Sequence, residues 1–284
     1  MKFIVFLYVS MPELPEVETV VRQLNSAIAN LKINDVQVYF GIRNQPEQKS
    51  FISTLVGKTI LKVERRAKVI IFRLSDDMTM VAHLKMSGKF FIHLAEVKPD
   101  KHTHVVLRLD NDKQLFWHDV RKFGYLKIMT NLEVDDWFLN KNFGPEPLLD
   151  TFTPAVFKRQ LLTRKNAKIK NTLLDQSVVA GVGNIYDIEA LWLAKIHPLR
   201  VINTLTDSEI ELLHQHIVAI LHKSVAANGT SSDDFLDTSK KRGTFQDELK
   251  VYGKENTPCP RCATIFTKIK LNGRGTVFCP SCQI

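Results

Sequence analysis

No cysteine precedes Cys259 in this chain of 284 residues. That excludes a disulfide-stapled body, and a chain of this length buries an ample core without staples. No apolar run approaches the ~20 residues needed to span a bilayer as a helix, so no membrane partner is expected. Internal repeats and low-complexity tracts are missing too. Acidic residues are in deficit: Lys and Arg number 39 against 30 Asp and Glu, a formal net charge of +9. The isoelectric point is near 9.3. A surplus of this sign favours an anionic partner, nucleic acid or a membrane surface, and says nothing about the fold. The deficit is sharpest over 250–284, where Glu255 alone opposes Lys250, Lys254, Arg261, Lys268, Lys270 and Arg274.

All four cysteines fall inside that basic stretch, as Cys259-x2-Cys262 and Cys279-x2-Cys282. The spacing matches a zinc ribbon, in which two tight turns each offer a thiolate pair to one tetrahedral Zn²⁺. Two disulfides in a secreted protein are the competing pairing. Residues 1–10 resemble an export signal only faintly, being short and lacking a small-residue cleavage pattern. A basic zinc ribbon reads as a nucleic-acid finger.

Met11-Pro12-Glu13-Leu14-Pro15-Glu16-Val17-Glu18-Thr19 looks like a protein's beginning placed ten residues inside the chain. If Met11 is the start and is clipped, Pro12 becomes a secondary amine beside a carboxylate. An α-amino group has a pKa of about 7.7–8.0 against roughly 10.4 for lysine, so near neutrality it is far more often the free nucleophile. Its attack on a sugar's anomeric carbon gives an iminium that has no N–H to lose. Pro15 at a first helical position, with Glu16 and Glu18 in the first turn, is a helix start. Val17, Val20, Val21, Leu24 and Ile28 then form its apolar face. The positive end of that helix lies near Pro12 and opposes protonation of the amine.

Short strands parted by Asp/Asn/Gly turns follow over 60–128 and predict a β-sandwich. Gly144-Pro145-Glu146-Pro147 breaks the chain. Helices are expected after Thr153, over 169–176, over 185–194, and from the capping box Thr206-x-x-Glu209 to Asn228-Gly229. Residues 231–246 are polar and glycine-punctuated, and read as a mobile loop. The expected fold is α+β in two domains. An N-terminal helix plus β-sandwich spans 11–143 and a linker spans 144–152. A helical domain with a helix–two-turn–helix and a lesion loop covers 153–246, and the four-cysteine finger covers 247–284. Residues 1–10 are an extension expected to be absent from the mature protein.

Eight segments occur here in the order seen in bacterial formamidopyrimidine-DNA glycosylases, and the chain resembles that family from Met11 to its end. They are Met11–Thr19, Lys85-Met86-Ser87-Gly88, Lys101-His102-Thr103-His104, Arg121-Lys122-Phe123-Gly124, Gly144-Pro145-Glu146-Pro147-Leu148, Gly181-Val182-Gly183-Asn184-Ile185-Tyr186, Val251-Tyr252-Gly253 and the cysteine ribbon. The resemblance implies excision of oxidised or ring-opened purines from damaged double-stranded DNA, followed by strand cleavage at the abasic site. By the same resemblance Pro12 is the nucleophile, Glu13 the acid that opens the sugar, Lys68 a lysine beside the lesion's phosphate, and Arg274 a participant in the last elimination. Met86, Arg121 and Phe123 would fill the void left by the flipped base. His102, Lys170 and Asn184 would contact DNA. One structural Zn²⁺, a monomeric state and a cytoplasmic, nucleoid-associated location complete the expectation.

The sequence departs from the family pattern at Lys85, where glycine is usual, and at Thr103, Val120, Lys122, Asn166 and Asn228. Two other readings stay open. One is an endonuclease VIII-like glycosylase for oxidised pyrimidines. The other is a catalytically inactive zinc-finger DNA-binding protein, should Pro12 stay acylated by Met11.

Overall fold

The computed structural model describes residues 11–39, 47–232 and 234–284; the expected extension 1–10 lies outside them. Helix α1 (Leu14–Ile28) opens the chain, with Glu13 at the N-cap and Pro15 in the first turn. The start thus falls one residue before the expected Pro15. The Glu16 carboxylate reaches back to accept the Glu13 N–H at 2.8 Å, satisfying one of the orphan donors of the helix end.

Two four-stranded antiparallel sheets follow. One runs β1 (Ile33–Val38), β6 (Thr103–Leu109), β7 (Lys113–Asp119), β5 (Gly88–Leu94). The other runs β2 (Ile60–Arg66), β3 (Val69–Leu74), β4 (Met78–His83), β8 (Tyr125–Thr130). Ile70, Phe72, Met80 and Ala82 from one sheet meet Phe90, Val105, Leu107, Leu115 and Trp117 from the other, and the apolar face of α1 closes the same core. The opposite faces of the central strands are covered as well. Val69, Ile71 and Val81 pack under Val134 of helix α3 (Asn131–Lys141), and Phe91, Val106 and Phe116 under Leu236. Burial on both faces explains why these strands read as unbroken apolar runs rather than as alternation.

Helices α2 (Gln48–Leu55) and α3 were not expected. Within α3 only Val134 is buried, while Leu132 and Leu139 face solvent, so it carries no clear apolar stripe. Its capping box, Thr130 with Glu133, is nonetheless complete.

The second unit packs α4 (Pro154–Leu162), α5 (Ile169–Leu173), α6 (Asn184–Leu193) and α7 (Asp207–Ala226) around Phe157, Leu173, Ile185, Leu213 and Leu221. Thr153 caps α4 and the Thr206–Glu209 box caps α7, as expected. Helix α5 ends earlier than the expected 169–176. Asn228 and Gly229 both take left-handed φ, 58° and 83°, which stops α7. The described residues of the stretch 231–246 are anchored, contrary to a mobile loop. Phe235 enters the sandwich core, the Ile92 N–H donates to the Thr238 carbonyl, and Gln23 accepts from the Thr238 N–H. In the finger, β9 (Thr267–Leu271) and β10 (Arg274–Phe278) form a hairpin. Asn272 and Gly273, both at positive φ, make its two-residue turn and place Arg274 at the tip.

The break at 144–147 is a clamp rather than a loose linker. The Glu146 carboxylate accepts from Arg65 and Arg66, each at 2.7 Å, and from the Ala67 N–H at 2.6 Å, while Arg66 also donates to the Phe143 and Gly144 carbonyls. The Arg65 side chain is only 7% exposed and also pairs with Glu18 at 2.8 Å, so removing Glu146 leaves a buried guanidinium with one counter-charge in place of two. Glu146→Ala should cost about 1.5–3 kcal/mol of stability in urea unfolding; an unshifted midpoint would show the clamp to be idle.

Candidate active site and nucleic-acid interface

Where the sandwich meets the helical unit, a cleft of about 210 Å³ is lined by Met11, Lys68, His83, Lys85, Gly183 and Arg274, among others. Pro12 and Glu13 are buried beside it. The Leu14 N–H donates to the Gly181 carbonyl at 3.0 Å, docking the start of α1 onto the loop before α6. Glu13 then lies on the N-terminus of α6: its Oε1 accepts the Ile185 N–H at 2.9 Å. A helix N-terminus is a natural seat for a carboxylate. The contact needs Gly183, because a Cβ there would lie 2.3 Å from the Glu13 Cδ. Among the described residues Oε2 of Glu13 has no hydrogen-bond partner. One oxygen is fixed and the other is unpartnered.

Lys68 sits in the turn between β2 and β3, 8% exposed. Burial pulls its ammonium below the usual lysine value; the Glu13 charge opposes this and Arg274 reinforces it. His83, at the end of β4, escaped the sequence reading. Its Nδ1 accepts the Lys85 N–H at 3.0 Å, so in the neutral ring Nε2 carries the proton. Burial, then the charges of Lys85 and Lys68, push its pKa down to about 3. It therefore lines the cleft as an uncharged donor at any working pH.

Glu16 was also missed as a site residue. It is fully buried and accepts from the Tyr186 hydroxyl at 2.5 Å, the Thr230 N–H at 2.7 Å and the Glu13 N–H at 2.8 Å. Desolvation first, then the Glu13 charge, raise its pKa to about 7. It joins the start of α1 to α6 and to the loop after α7.

The three expected void-fillers lie on two loops knitted together by Asp119, which is fully buried. Its carboxylate accepts from Ser87, next to Met86, and from the Arg121 and Gly124 N–H groups. Arg121 lies over the Phe123 ring at 5.1 Å, and Phe123 is 43% exposed. Met86 is half-buried in its turn. The Lys85 departure falls at φ 52°, a left-handed position that explains a preference for glycine there. His102 is half-buried, and its carbonyl accepts the Asp119 N–H, which ties its loop to the same turn.

The phosphate-binding expectations divide. Asn184 is the first residue of α6, partly accessible, and its Nδ2 donates to the Gly275 carbonyl beside Arg274 at 3.1 Å. Lys170 does not reach the surface. It is fully buried, its charge met by Asp187, so a direct phosphate contact from it is a correction to the sequence reading. The reason is a counter-ion one turn into α6.

The four cysteine sulfurs lie within 4.8 Å of one another. The Sγ of Cys259 is 3.9 Å from that of Cys282, and the Sγ of Cys262 is 3.5 Å from that of Cys279. A tetrahedron with Zn–S bonds of about 2.3 Å has S···S edges near 3.8 Å, whereas a disulfide requires about 2.05 Å. The donor set fits Zn²⁺, and no disulfide is formed. Backbone N–H groups of Arg261 and Cys282 point at the Cys259 and Cys279 sulfurs. The finger's small core includes Ile188 and Trp192 of α6, and the Glu189 carboxylate accepts the N–H groups of Lys250, Val251 and Tyr252. Among the described residues no helix is long and apolar enough to cross a membrane.

Comparison with known proteins matches this architecture piece by piece. The profile of the formamidopyrimidine-DNA glycosylase N-terminal domain covers residues 11–126, that of the H2TH domain 143–235, and that of the zinc finger found in FPG and IleRS 257–284. Formamidopyrimidine-DNA glycosylase of Ligilactobacillus salivarius is 43% identical over 275 residues, 96% of this chain and 99% of the relative. The Desulfitobacterium hafniense protein of that name is also 43% identical, over 96% of this chain and all of the relative. A mutant of Lactococcus lactis FPG, in complex with DNA containing Fapy-dG, superposes with a TM-score of 0.89 at 42% identity, covering 96% of this chain and 99% of that one. The wild-type Lactococcus lactis protein with DNA holding an oxidised pyrimidine gives 0.88 at 42% identity over the same shares. The chain belongs to the formamidopyrimidine-DNA glycosylase family.

Two predictions arise from this geometry. Metal analysis should find one zinc per chain, and its binding should contribute an apparent 10–16 kcal/mol, roughly as in finger peptides. Chelation should then expose Trp192, read by fluorescence, while the sandwich keeps its circular dichroism; zinc-free protein with an intact finger would refute this. The second concerns Glu16. Its folded pKa of about 7 lies above the ordinary glutamate value of 4.5. The resulting stabilisation is complete below the lower value and is lost as pH rises to about 7, on the order of 3 kcal/mol at most. Glu16→Gln should flatten the fall in melting temperature across that window, and an unchanged pH profile would contradict the raised pKa.

Proposed function

We propose that the chain is a base-excision-repair DNA glycosylase with abasic-site lyase activity, acting on oxidised purines through an N-terminal proline Schiff base. The observation that carries this reading is the Glu13 carboxylate beside Pro12, one oxygen on the α6 N-terminus and the other without a partner. Family membership over the full span from residue 11 supports it.

In this mechanism the Pro12 nitrogen attacks C1′ of the lesion nucleotide as the glycosidic bond breaks, and the base leaves with the bonding pair and takes up a proton. Glu13 protonates O4′ as the C1′–O4′ bond opens, giving an iminium between Pro12 and C1′. The iminium withdraws electrons from C2′, whose proton is lost as the 3′ phosphate departs; a second elimination expels the 5′ phosphate. Lys68 and His83 would hold phosphate near the lesion, one as a cation and the other as a neutral donor. Arg274 at the hairpin tip would assist the second elimination. Met86, Arg121 and Phe123 would occupy the gap left by the extruded base, Arg121 offering a planar fork to the orphaned cytosine. DNA would run across the junction of the two units, with the basic finger on one side.

An amide nitrogen is no nucleophile, so the active form is proposed to begin at Pro12. That agrees with the family profile starting at residue 11. The complex of a Lactococcus lactis relative with oxidised-pyrimidine DNA keeps a wider lesion range in view, and profiling excision on duplexes with single defined lesions would rank the substrates. Protein beginning at Pro12 should be trapped covalently on lesion DNA by borohydride, with the adduct mapped to Pro12 by mass spectrometry. Glu13→Gln should stall base excision while sparing cleavage of preformed abasic sites more. A chain that retains residues 1–11 and still excises bases at full rate would sink the mechanism.

A further inference from the structure

The buried pair Lys170–Asp187 takes no part in the chemistry above, yet it stands one hydrogen bond behind it. Both side chains are fully buried. The Lys170 Nζ lies 2.5 and 2.6 Å from the two Asp187 carboxylate oxygens and 2.8 Å from Asn184 Oδ1. Its three N–H bonds have three acceptors, and none is left for a phosphate. Replacing such a pair with apolar side chains is often neutral or stabilising, so stability alone does not account for it.

What the pair does control is the Asn184 amide. An ammonium only donates, so Oδ1 of Asn184 must face Lys170 and the NH₂ must face the finger. There Nδ2 donates to the Gly275 carbonyl at 3.1 Å, one residue after Arg274. We propose that Asp187 is a positioning residue for strand cleavage: it keeps Lys170 charged, and Lys170 orients Asn184, whose amide holds the hairpin tip that carries Arg274. This rests on the reading of Arg274 given above.

The surroundings make Asp187 necessary for the charge. Burial drives the Lys170 ammonium down and the Asp187 carboxyl up, and the attraction between the two opposes both shifts. The other charges facing the pair are Glu13 at the start of α1, Arg274 on β10 and Lys68 between β2 and β3. Arg274 disfavours a charged Lys170, while Glu13 favours it. Without the Asp187 carboxylate, Lys170 loses its nearest counter-charge, becomes neutral at a lower pH and can accept as well as donate. The amide is then free to flip.

The test compares wild type, Asp187→Asn, Asn184→Ala, the double variant and Arg274→Ala, all beginning at Pro12, on a duplex with a preformed abasic site. Gels separate the β- and δ-elimination products, and borohydride trapping reports the Schiff base. Asp187→Asn should lower the δ-to-β product ratio roughly tenfold, the worth of one charge-assisted hydrogen bond. Trapping should be retained. Relative to wild type the defect should shrink as pH falls and Lys170 regains its proton. In the Asn184→Ala background the same substitution should add nothing further. An unchanged ratio, a parallel fall of both products, or additive effects with Asn184→Ala would each overturn the proposal. If Arg274→Ala loses δ-elimination and Asp187→Asn does not, the positioning role alone fails. If Arg274→Ala keeps δ-elimination, the role of Arg274 fails and the inference with it. Should Asp187→Asn not fold, Asp187→Asn with Lys170→Met gives an uncharged pair for which the same fall in ratio is expected.

Discussion

The contact on which the site depends is that between the Glu13 carboxylate and the N-terminus of α6. It crosses from the first helix of one unit to the central helix of the other, in a space so close that Gly183 cannot carry a side chain. The donor is a backbone N–H at a helix end, where the peptide dipoles favour an anion. It therefore fixes the orientation of the carboxyl through a backbone donor, with the charges of Lys68 and Lys170 acting on it from farther off. Glu16 repeats the arrangement three residues on, with Tyr186 and Thr230 as donors. Two acids in one turn are thus both inside the protein, both served by the second unit, and coupled to each other by charge.

That coupling requires the two units to hold a constant relation, and the Arg65–Arg66–Glu146 clamp provides it from the other side of the junction. Proline and glycine at 144–147 mark a chain break by their local preferences. Nothing in those four residues announces that the acid among them will be gripped by arginines some eighty positions earlier. The same distinction runs through the molecule. The Thr206–Glu209 capping box, the apolar face of α1, the Asn228-Gly229 stop and the cysteine pairs act over a few residues and were legible in the sequence. The sandwich was legible as a set of short apolar runs, although not the order of its strands.

What escaped depends on partners far along the chain. Asp119 is unremarked in its own loop and acquires its role only through Ser87 and Arg121. His83 has its protonation set by burial and then by Lys85 and Lys68. Helix α3 is held by its caps, by the buried Val134 and by Trp137 and Phe138, which are only partly covered, so hydrophobic periodicity passes over it. Lys170 shows the converse error. The resemblance placed the right side chain near the right loop, but Asp187, seventeen residues away, turns it inward. The resemblance carries residue types. The charge around them belongs to this chain.

The finger shares its core with α6, through Ile188 and Trp192, and the segment leading into it is gripped by Glu189 of the same helix. The other end of α6 seats Glu13. The cysteine cluster and the seat of Glu13 are therefore joined to opposite ends of one ten-residue rod. A finger left without zinc would release the Ile188 and Trp192 side of the helix whose first turn holds the Glu13 carboxylate.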